Sequence, residues 1–566
     1  MGRISCVGYL TNYAVKHCIV LIWIVINVLL FWKTYMHYKY EPQWFYLHQI
    51  LGGYLCISRG TAAVLNLNCG ILLLPMCRGS ISVLRGLTPW IGRRTMVSLL
   101  DKSKGFHITC GIIVFIASAF HTFGHLFNAL QFSKYYSKVY VDLNAAKYPH
   151  QDPLLIVVTT VPGLTGIIMI LLLVLIMTSS TIAMRMANYD LFYYAHRIFF
   201  VLFYALLLAH AIRGILKKQM NTNMHTPGCS ALNETVPFPE PEVPFPEPEH
   251  MDNSSMKCDE KPMFDTHGTE TWMWLCGPIL VYVADTIYRY IRQKREKTVV
   301  IDIKQHVHEL LELTVRKLGF KSRPGQYVLV NCRNISGLEW HPYTITSVKE
   351  EQNTFTLHIK TTGDWSGRLK DHLLRRNIDK EYIPLHRSIR PINLNIDGPF
   401  GSPCEDILKY KISICVAGGI GITPFIALLN YLRKQCSTTK LERLHLIWLC
   451  RDAGCFLWFQ DTLLAVHKKF WSMNRPDFLE IHLHCTSNIL PKILDSVESM
   501  DEFMISRLNI GRPDWRRAIS AVLNRHEKTD IGVFCCGPKV LTKDIHRVCS
   551  KLSINKNKLY CYHESF

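Results

Sequence analysis

The sequence is poor in acidic residues and contains long stretches without any charge. Its 566 residues include 44 Asp and Glu against 64 Lys and Arg, a formal net charge of +20, and 49% of them are hydrophobic. This composition excludes a disordered or collagen-like chain. The uncharged stretches exclude a soluble basic protein that binds nucleic acid. The runs without Asp, Glu, Lys or Arg are 17–32, 60–77, 105–127, 153–184, 198–212 and 271–284.

These runs predict an integral, multi-pass membrane protein with six membrane-spanning helices, because about 20 mostly apolar residues cross the bilayer core. The sixth run spans only if its helix continues past Asp285 towards Tyr290. No later run is long enough to span, which predicts a soluble C-terminal portion of one or two domains. The first 16 residues are too short for a regulatory domain, and no small-residue cleavage site follows the first run, so we expect a retained first helix.

Charge placement predicts the orientation of the chain. The loop between helices two and three and the segment after helix six are rich in Arg and Lys, which favours the cytoplasm. The stretch from about 219 to 270 is acidic and carries glycosylation sequons at Asn233 and Asn253, which favours the lumenal side. We therefore expect the N-terminus and the C-terminal portion in the cytoplasm.

The lumenal loop contains a proline-rich repeat and two cysteines. VPFPEPE occurs twice in succession over 236–249, and such proline density favours an extended polyproline spacer. Cys229 and Cys258 bracket the repeat on the oxidising side, either as a disulfide or as two free thiols. The other 18 cysteines form no pair of CxxC motifs at zinc spacing.

Four histidines within the predicted spans are candidate metal ligands, because ionisable groups in a membrane are costly. His107 and His121 lie on helix three, and His196 and His210 on helix five. Each pair is 14 residues apart, close to four helical turns, so its members share a face about 21 Å apart along the axis. Both helices run from cytoplasm to lumen, which gives two levels with two imidazoles each. Two stacked bis-histidine haems need this arrangement, whereas zinc needs four ligands at one level, and a lone histidine could be an interhelical hydrogen-bond donor.

Two further residues belong to the outer level. His125 lies one turn beyond His121, and Arg59 lies near the lumenal start of helix two. Arg59 is suited to a haem propionate or a small anion, and its alternative is to extend to the interface. We expect both residues at the outer haem.

Residues 298–400 alternate short β-rich runs with turns, which predicts an antiparallel β-barrel. In its first motif, HPYT, an aromatic ring beside a hydroxyl suits a flavin ring and its N5 edge. The second offers positive charge and turn amides for a pyrophosphate. The candidate FAD residues are His341, Pro342, Tyr343, Thr344, His358, Lys360, Gly363, Asp364 and Trp365.

From residue 411 the pattern changes to strand, loop and helix, which predicts an α/β Rossmann-like fold. A glycine turn at 417–421 precedes a helix, although it lacks the strict GxGxxG pattern. Arg451 follows another strand and suits the 2′-phosphate of NADPH, its alternative being an ion pair with Asp452; for Cys535 and Cys536 the alternative is buried packing. The candidate nucleotide residues are Gly418, Gly419, Gly421, Thr423, Pro424, Cys450, Arg451, Cys536, Gly537 and Pro538.

Taken together, these features resemble the NADPH oxidase family of the ferric-reductase-like superfamily, over essentially the whole chain. The resemblance rests on the histidine spacing and on HPYT, DGPFG (397–401), AGGIGITP (417–424), CRD (450–452), GRPDW (511–515), FCCGP (534–538) and an aromatic C-terminus. Within the family, LLFWKT (29–34), LNLNC (65–69), HTPGC (225–229) and FWSMNRPD (470–477) are most similar to the isoform-four branch.

The resemblance implies an enzyme that passes electrons from cytosolic NADPH through FAD and two b-type haems to O2, forming hydrogen peroxide or superoxide. It implies an oxygen-reducing pocket at Arg59 and His125, a role for His225 in peroxide release, and a terminal Phe566 that covers the flavin until nicotinamide displaces it. It also implies a small membrane light-chain subunit, no requirement for cytosolic organiser or activator subunits, and residence in the endoplasmic reticulum or plasma membrane. The chemistry belongs to the cofactors.

The expected domains are a six-helix transmembrane domain at 1–292 with a lumenal loop at about 217–270, an FAD domain at 293–400 and an NADPH domain at 401–566. One alternative is a ferric or cupric metalloreductase, which shares the helices, haems and nucleotide domains. The other is a non-enzymatic haem membrane protein, such as a proton channel or redox sensor.

Overall fold

The structure is a computed structural model, and it divides the chain into two compact units. The helical unit comprises residues 20–77 and 102–284, and the sheet unit comprises 1–19, 78–101 and 285–566. The described residues are 5–87, 100, 102–210, 212, 214–227, 260–296, 298–337, 339–382 (without the side chains of 376–382), 394–434, 440–487, 497–526, 528–554 and 557–564.

Several predicted features lie outside the described residues. They are Cys229 and Cys258 with the proline-rich repeat between them, the sequons at Asn233 and Asn253, and Phe566. Their assignments remain predictions from the sequence.

Helices and strands are numbered along the chain. The helical unit contains most of α2 and α11 and all of the helices between them except α5. Its elements are α2 (Val15–Tyr40), α3 (Phe45–Leu51), α4 (Gly53–Leu73), α6 (Ser103–Lys134), α7 (Pro153–Thr159), α8 (Val161–Ser179), α9 (Ile182–Ala187), α10 (Tyr189–His210), β1 (Lys217–Gln219), β2 (Phe264–Thr266) and α11 (Thr271–Arg295).

Within the described residues, five helical segments are long and apolar enough to cross a membrane: Cys6–Tyr40, Gly53–Met76, Ser103–Lys134, Val161–Ser179 and Tyr189–His210. They correspond to the first five predicted spans. The sixth predicted span coincides with α11, whose C-terminal half contains charged residues such as Arg289 and Arg292. A sixth crossing is therefore a proposal.

The uncharged run 153–184 forms three helices rather than one. Thr160 is extended, with φ −99° and ψ 142°, and separates α7 from α8. Pro162 explains the break, since a proline disfavours helical geometry at the residue before it and is well accommodated in a first helical turn. The membrane-spanning part of this run is α8 alone.

Helices α4 and α6 approach each other closely. A Cβ on Gly124 of α6 would lie 3.2 Å from the Cα of Ser58 on α4, so a larger residue would push the helices apart. The Asn128 amide donates to the Ser58 hydroxyl over 3.1 Å. Small residues and interhelical hydrogen bonds are typical of helix packing in membranes. This contact fixes the position of histidines on α6 relative to the backbone of α4.

The first half of the sheet unit is a six-stranded antiparallel sheet with the order β3-β4-β7-β6-β5-β8. Val300 near one edge and Ile396 near the other belong to the same apolar core, so the sheet curls around that core. This confirms the predicted antiparallel sheet. The strands are β3 (Thr298–His306), β4 (Leu310–Lys317), β5 (Tyr327–Asn331), β6 (His341–Lys349), β7 (Thr354–Lys360) and β8 (Asn395–Phe400); α1 (Cys6–Tyr9), α5 (Arg78–Leu87) and α12 (Asp364–Tyr382) also lie in this unit.

The second half is a six-stranded parallel sheet with the order β12-β11-β10-β9-β13-β14. The chain builds outward from β9 and then returns to add β13 on its other side. This reversal places a crevice at the carboxyl ends of β9 and β13. The elements are β9 (Ile412–Gly418), α13 (Thr423–Lys434), β10 (Arg443–Cys450), α14 (Gln460–Ser472), β11 (Leu479–Cys485), α15 (Glu502–Ile505), β12 (Leu508–Ile510), α16 (Trp515–Arg525), β13 (Ile531–Cys536), α17 (Lys539–Leu552) and β14 (Leu559–Glu564).

Candidate functional site

The four histidines form two facing pairs between α6 and α10. The ring centres of His107 and His196 lie 6.2 Å apart, and those of His121 and His210 lie 6.4 Å apart. The N-terminal members meet each other, as do the C-terminal members, so the two helices run in the same direction. The structure therefore brings together the pairs that the 14-residue intervals predict.

All four imidazoles are oriented through Nδ1. On α6, His107 Nδ1 lies 3.0 Å from the Leu72 carbonyl and His121 Nδ1 lies 2.9 Å from the Ser58 carbonyl. A carbonyl only accepts, so both Nδ1 atoms carry the hydrogen. The Nε2 lone pair of each ring is left as the free ligand.

Hydroxyl groups orient the two imidazoles of α10. His196 Nδ1 lies 3.0 Å from Ser180 Oγ, which donates its own hydrogen to the Ile176 carbonyl. His210 Nδ1 lies 2.8 Å from Thr165 Oγ1, which donates to the Val161 carbonyl. Each hydroxyl therefore accepts from the imidazole. Metal-binding histidines usually donate their second ring nitrogen in this way, which fixes the tautomer and the ring orientation.

The spacing of the pairs fits axial ligation of an iron ion. Two metal–nitrogen bonds of about 2 Å, plus roughly 1 Å from each nitrogen to its ring centre, place the centres about 6 Å apart. Both observed separations are close to this value. The donor set, two neutral imidazoles at each of two levels, is that of bis-histidine haem.

Two arginines near the histidine pairs have buried nitrogens suited to anionic groups. Among the described residues, Arg59 Nε and Arg185 Nε have no hydrogen-bond partner. The Arg59 guanidinium lies over the Tyr38 ring and interacts electrostatically with His121 and His210. Arg185 lies over Phe192, whose ring neighbours His196. The sequence analysis missed Arg185, although it is the first charge after the run 153–184.

His125 lies against the C-terminal pair. Its ring centre is 4.6 Å from that of His121, in an edge contact. The Arg59 charge also acts on His125. The two predicted outer residues therefore gather at the same histidine pair.

His225 is buried in the loop region of the helical unit, with 2% of its surface exposed. Its Nδ1 lies 2.8 Å from the Glu260 carbonyl, so Nδ1 carries the hydrogen. Its Nε2 lies 2.7 Å from the Tyr46 hydroxyl and, in the neutral imidazole, accepts from it. Tyr46 is buried as well. Sequence reasoning did not identify Tyr46, because nothing in its local pattern points to residue 225.

The HPYT motif and Trp365 form a ring stack on the antiparallel sheet. The His341 and Trp365 ring centres lie 4.2 Å apart, and Tyr343 stacks on Trp365 at 6.4 Å. Among the described residues, Thr344 Oγ1 and Trp365 Nε1 are buried without a hydrogen-bond partner. Burial raises the pKa of Tyr343. Unpaired buried polar atoms beside aromatic rings fit a flat heterocycle with polar edges, as FAD has.

The second predicted flavin motif continues from β7 into α12. Lys360 is exposed at the end of β7, and α12 begins at Asp364 directly after Gly363. The N-terminus of this helix, with its free amides, suits a pyrophosphate. His358 is turned elsewhere: Nδ1 lies 2.8 Å from Thr346 Oγ1, and Nε2 lies 3.8 Å from a Glu312 carboxylate oxygen. Burial lowers the pKa of His358 to about 4, against the opposing effect of Glu312.

The glycine turn and the FCCGP motif meet at the crevice of the parallel sheet. β9 pairs with β13, Ala417 opposite Cys536. A Cβ on Gly418 would lie 2.9 Å from Pro538 Cδ, and one on Gly421 would collide with the Cys536 carbonyl. The Trp448 indole donates to the Gly419 carbonyl over 2.9 Å and holds the turn from β10. The predicted residues Thr423 and Pro424 begin α13, whose N-terminus faces this turn.

The cysteines near the crevice are structural thiols. Cys450 and Cys536 are buried, and burial raises the pKa of both. Arg451 is exposed. The neighbouring carboxylate of Asp452 lies 3.5 Å from His308 Nδ1 and accepts from the Gly454 amide. The Arg451 guanidinium is therefore well placed for an external anion.

Profiles of three protein families match consecutive parts of the chain. The ferric reductase like transmembrane component matches residues 59–207, the FAD-binding domain matches 295–404, and the ferric reductase NAD binding domain matches 410–550. The first match contains the four paired histidines. The other two contain the ring stack and the crevice, respectively.

Curated relatives match the chain from end to end. NADPH oxidase 4 of Homo sapiens is 44% identical over 572 residues, which cover 98% of this chain and 97% of the relative. NADPH oxidase 4 of Pongo abelii is 44% identical and covers 99% of both chains. NADPH oxidase 1 of Rattus norvegicus is 30% identical, over 99% of this chain and 100% of the relative.

Proposed function

The chain belongs to the NADPH oxidase family, and from this we propose that it carries electrons from cytosolic NADPH through FAD and two b-type haems to O2 on the lumenal or extracellular side. It is an oxidoreductase and an integral membrane protein with C-terminal FAD- and NAD(P)H-binding domains. The observation that carries the proposal is the two levels of facing imidazoles, each with Nδ1 held and Nε2 free.

When bound, FAD accepts a hydride from NADPH and releases its two electrons singly, and the haem irons pass single electrons on to O2. His107 and His196 hold the inner iron, and His121 and His210 hold the outer one. Arg59 provides positive charge beside the outer pair, and His125 provides an imidazole that can hold a proton there. Two electrons and two protons convert one O2 to hydrogen peroxide, whereas two O2 molecules take one electron each to form superoxide.

The sheet unit positions FAD and NADPH. His341, Pro342, Tyr343, Thr344 and Trp365 hold the flavin ring, and Lys360 with the turn at Gly363 and Asp364 holds the pyrophosphate. His358 lies on the same strand face as Lys360, with its ring nitrogens directed at protein groups. NADPH lies in the crevice, on Gly418, Gly419, Gly421, Thr423, Pro424, Cys450, Cys536, Gly537 and Pro538, with its 2′-phosphate at Arg451. The terminal Phe566 covers the flavin until nicotinamide displaces it.

We propose six transmembrane helices within 1–292, an FAD domain at 293–400 and an NADPH domain at 401–566. The element bounds support these limits, since α11 ends at Arg295, β3 begins at Thr298 and β8 ends at Phe400. The basic segments place both termini in the cytoplasm. A small membrane light-chain subunit is the proposed partner, without cytosolic organiser or activator subunits. The resident membrane is the endoplasmic reticulum or the plasma membrane.

The glycine turn offers a matched pair of substitutions. Gly421→Ala must displace the Cys536 carbonyl, so we expect the KM for NADPH to rise about tenfold or more, which corresponds to roughly 1.4 kcal/mol of overpacking. Gly419→Ala meets nothing within 4 Å and only places alanine at φ +57°, which costs about 1 kcal/mol. Dye reduction by NADPH in the purified full chain measures both. A larger KM change for Gly419→Ala than for Gly421→Ala would contradict the proposed crevice.

His225 and Tyr46 should influence the product. We expect His225→Ala to shift the product from hydrogen peroxide towards superoxide, because the lumenal loop loses its buried anchor. Tyr46→Phe removes only the hydroxyl on Nε2, a hydrogen bond of about 1 kcal/mol, and should shift the product less in the same direction. Simultaneous measurement of superoxide and peroxide, with and without the light-chain subunit, gives the fractions. The exposed Tyr148, changed to phenylalanine, is the control; an unchanged peroxide fraction in His225→Ala would refute the assignment.

Anaerobic reduction by NADPH tests the proposed electron path. The purified, cofactor-loaded chain should develop the spectrum of two reduced bis-histidine haems only when its flavin is present. A chain with normal haem spectra that never binds flavin would favour a non-enzymatic haem protein instead.

A further inference from the structure

Three side chains on adjacent strands of the antiparallel sheet lie together outside the proposed flavin pocket. Glu312 on β4 is directly opposite His358 on β7, and His306 is near the end of β3. Their strand neighbours Leu311 and Leu313 point into the apolar core, so the three polar side chains share the outer face of the sheet. We name His306, Glu312 and His358 the strand triad.

The ligand atoms of the strand triad converge. His306 Nε2 lies 2.7 Å from Glu312 Oε2, and His358 Nε2 lies 3.8 Å from the same oxygen. One nitrogen or oxygen atom from each residue lies within 4.8 Å of the others. Ligands of one Zn²⁺ ion, at about 2.0 to 2.2 Å from the metal, lie roughly 3 to 4 Å apart. Small side-chain rotations would therefore bring all three onto one ion.

A neighbouring hydroxyl fixes the tautomer of His358. Thr346 Oγ1 donates to the Thr356 carbonyl over 3.0 Å, so it accepts the hydrogen of His358 Nδ1. His358 Nε2 then directs its lone pair towards the Glu312 carboxylate. Two electron-rich atoms facing each other favour a cation between them, and a held Nδ1–H is typical of a metal-binding histidine.

No basic side chain already neutralises Glu312. Among the described residues, its ion-pair partners are the two histidines of the strand triad, and Lys304 across from it turns its ammonium to Asp302. Glu480 on β11 provides the contrast. It also contacts two histidines, but Arg525 lies 2.8 Å from its carboxylate and supplies the positive charge.

We propose that the strand triad binds one divalent transition-metal ion of the Zn²⁺ type. Two imidazoles and one carboxylate are a common zinc ligand set that leaves a fourth position for water, whereas Ca²⁺ and Mg²⁺ prefer oxygen ligands only. His306 is about one-third exposed, which gives the ion a route from solvent. His358 also packs on Phe459, 4.7 Å between ring centres, so a bound ion sits beside the segment that follows Arg451.

Zinc binding to the full, cofactor-loaded chain tests the proposal. The chain is stripped with a chelator and dialysed against graded Zn²⁺, and bound zinc is counted per chain by elemental mass spectrometry. We expect one zinc ion per chain from the strand triad, and a dissociation constant raised at least about tenfold in His306→Gln and in Glu312→Gln. X-ray absorption at the zinc edge should show nitrogen and oxygen ligands without sulfur.

A neighbouring histidine provides the control. His308 lies in the same hairpin and pairs with Asp452, outside the strand triad, so His308→Asn should bind zinc as the wild type does. Flavin content and thermal unfolding are measured for every variant, and His306→Gln, on an edge strand, keeps the test valid if Glu312→Gln unfolds. Equal zinc affinity in the wild type and His306→Gln would overturn the proposal. The result does not depend on oxidase activity, because zinc is counted directly.

Discussion

Replacement of His121 by leucine should halve the haem content and abolish oxygen reduction. His121 and His210 face each other at 6.4 Å, and leucine offers no atom that can bind iron. Loss of an orienting group alone typically costs 10- to 100-fold in metal affinity, so loss of the ligand should cost at least about 100-fold. The inner pair, His107 and His196, is untouched. The measurement is the haem-to-protein ratio by pyridine haemochrome together with NADPH-driven O2 consumption.

Two comparisons sharpen this prediction. His210→Leu should remove the same haem as His121→Leu, whereas His107→Leu should remove the other. His150→Asn changes a histidine in the loop after α6 and should leave both haems in place. If His121→Leu retained a two-haem spectrum, the ligand assignment would be wrong.

Replacement of Asp397 by asparagine should destabilise the sheet unit more than other surface-neutral changes. Asp397, in the DGPFG motif, is fully buried and accepts from Arg289 Nη2 and Arg292 Nη2, each over 2.6 Å. Asparagine keeps the shape but leaves two partly buried guanidinium groups without a counter-charge. Removal of one member of a buried ion pair costs about 3 kcal/mol or more. For a unit of this size we expect Tm to fall by roughly 6 to 12 °C.

An exposed ion pair on the same unit is the control for Asp397. Asp302 pairs with Lys304 over 3.6 Å, and both side chains are at least half exposed. Exposed pairs contribute about 0 to 1 kcal/mol, so Asp302→Asn should change Tm little. Release of FAD fluorescence on heating the full chain reports both transitions. Similar shifts for the two variants would show that the Asp397 pairs do not stabilise the unit.

The histidine pairs were predictable because helical periodicity and membrane direction depend only on spacing. The groups that orient them were not. Leu72 and Ser58 contribute backbone carbonyls, which every residue type has, and the hydroxyls of Ser180 and Thr165 resemble many others in apolar helices. The break at Thr160 followed from Pro162, a local signal that the length of the uncharged run obscured.

Contacts between distant strands were the least predictable part of the site. The glycine turn and FCCGP were each expected at the end of a strand, but their meeting depends on β13 lying beside β9, which the sequence order does not reveal. His358 was expected beside Lys360, and both do lie on the outer face of β7. Its partners Thr346 and Glu312 come from neighbouring strands, and cross-strand register set their positions.

The most direct test of the account uses the purified chain with its light-chain subunit in sealed vesicles, with NADPH supplied only on the side of the sheet unit. Electron transfer to O2 predicts that NADPH oxidation consumes oxygen, and that peroxide or superoxide accumulates on the opposite side. Peroxide formation uses one O2 for each NADPH, and superoxide formation uses two. NADPH oxidation that consumes no oxygen but reduces chelated iron would contradict the account and identify a metalloreductase.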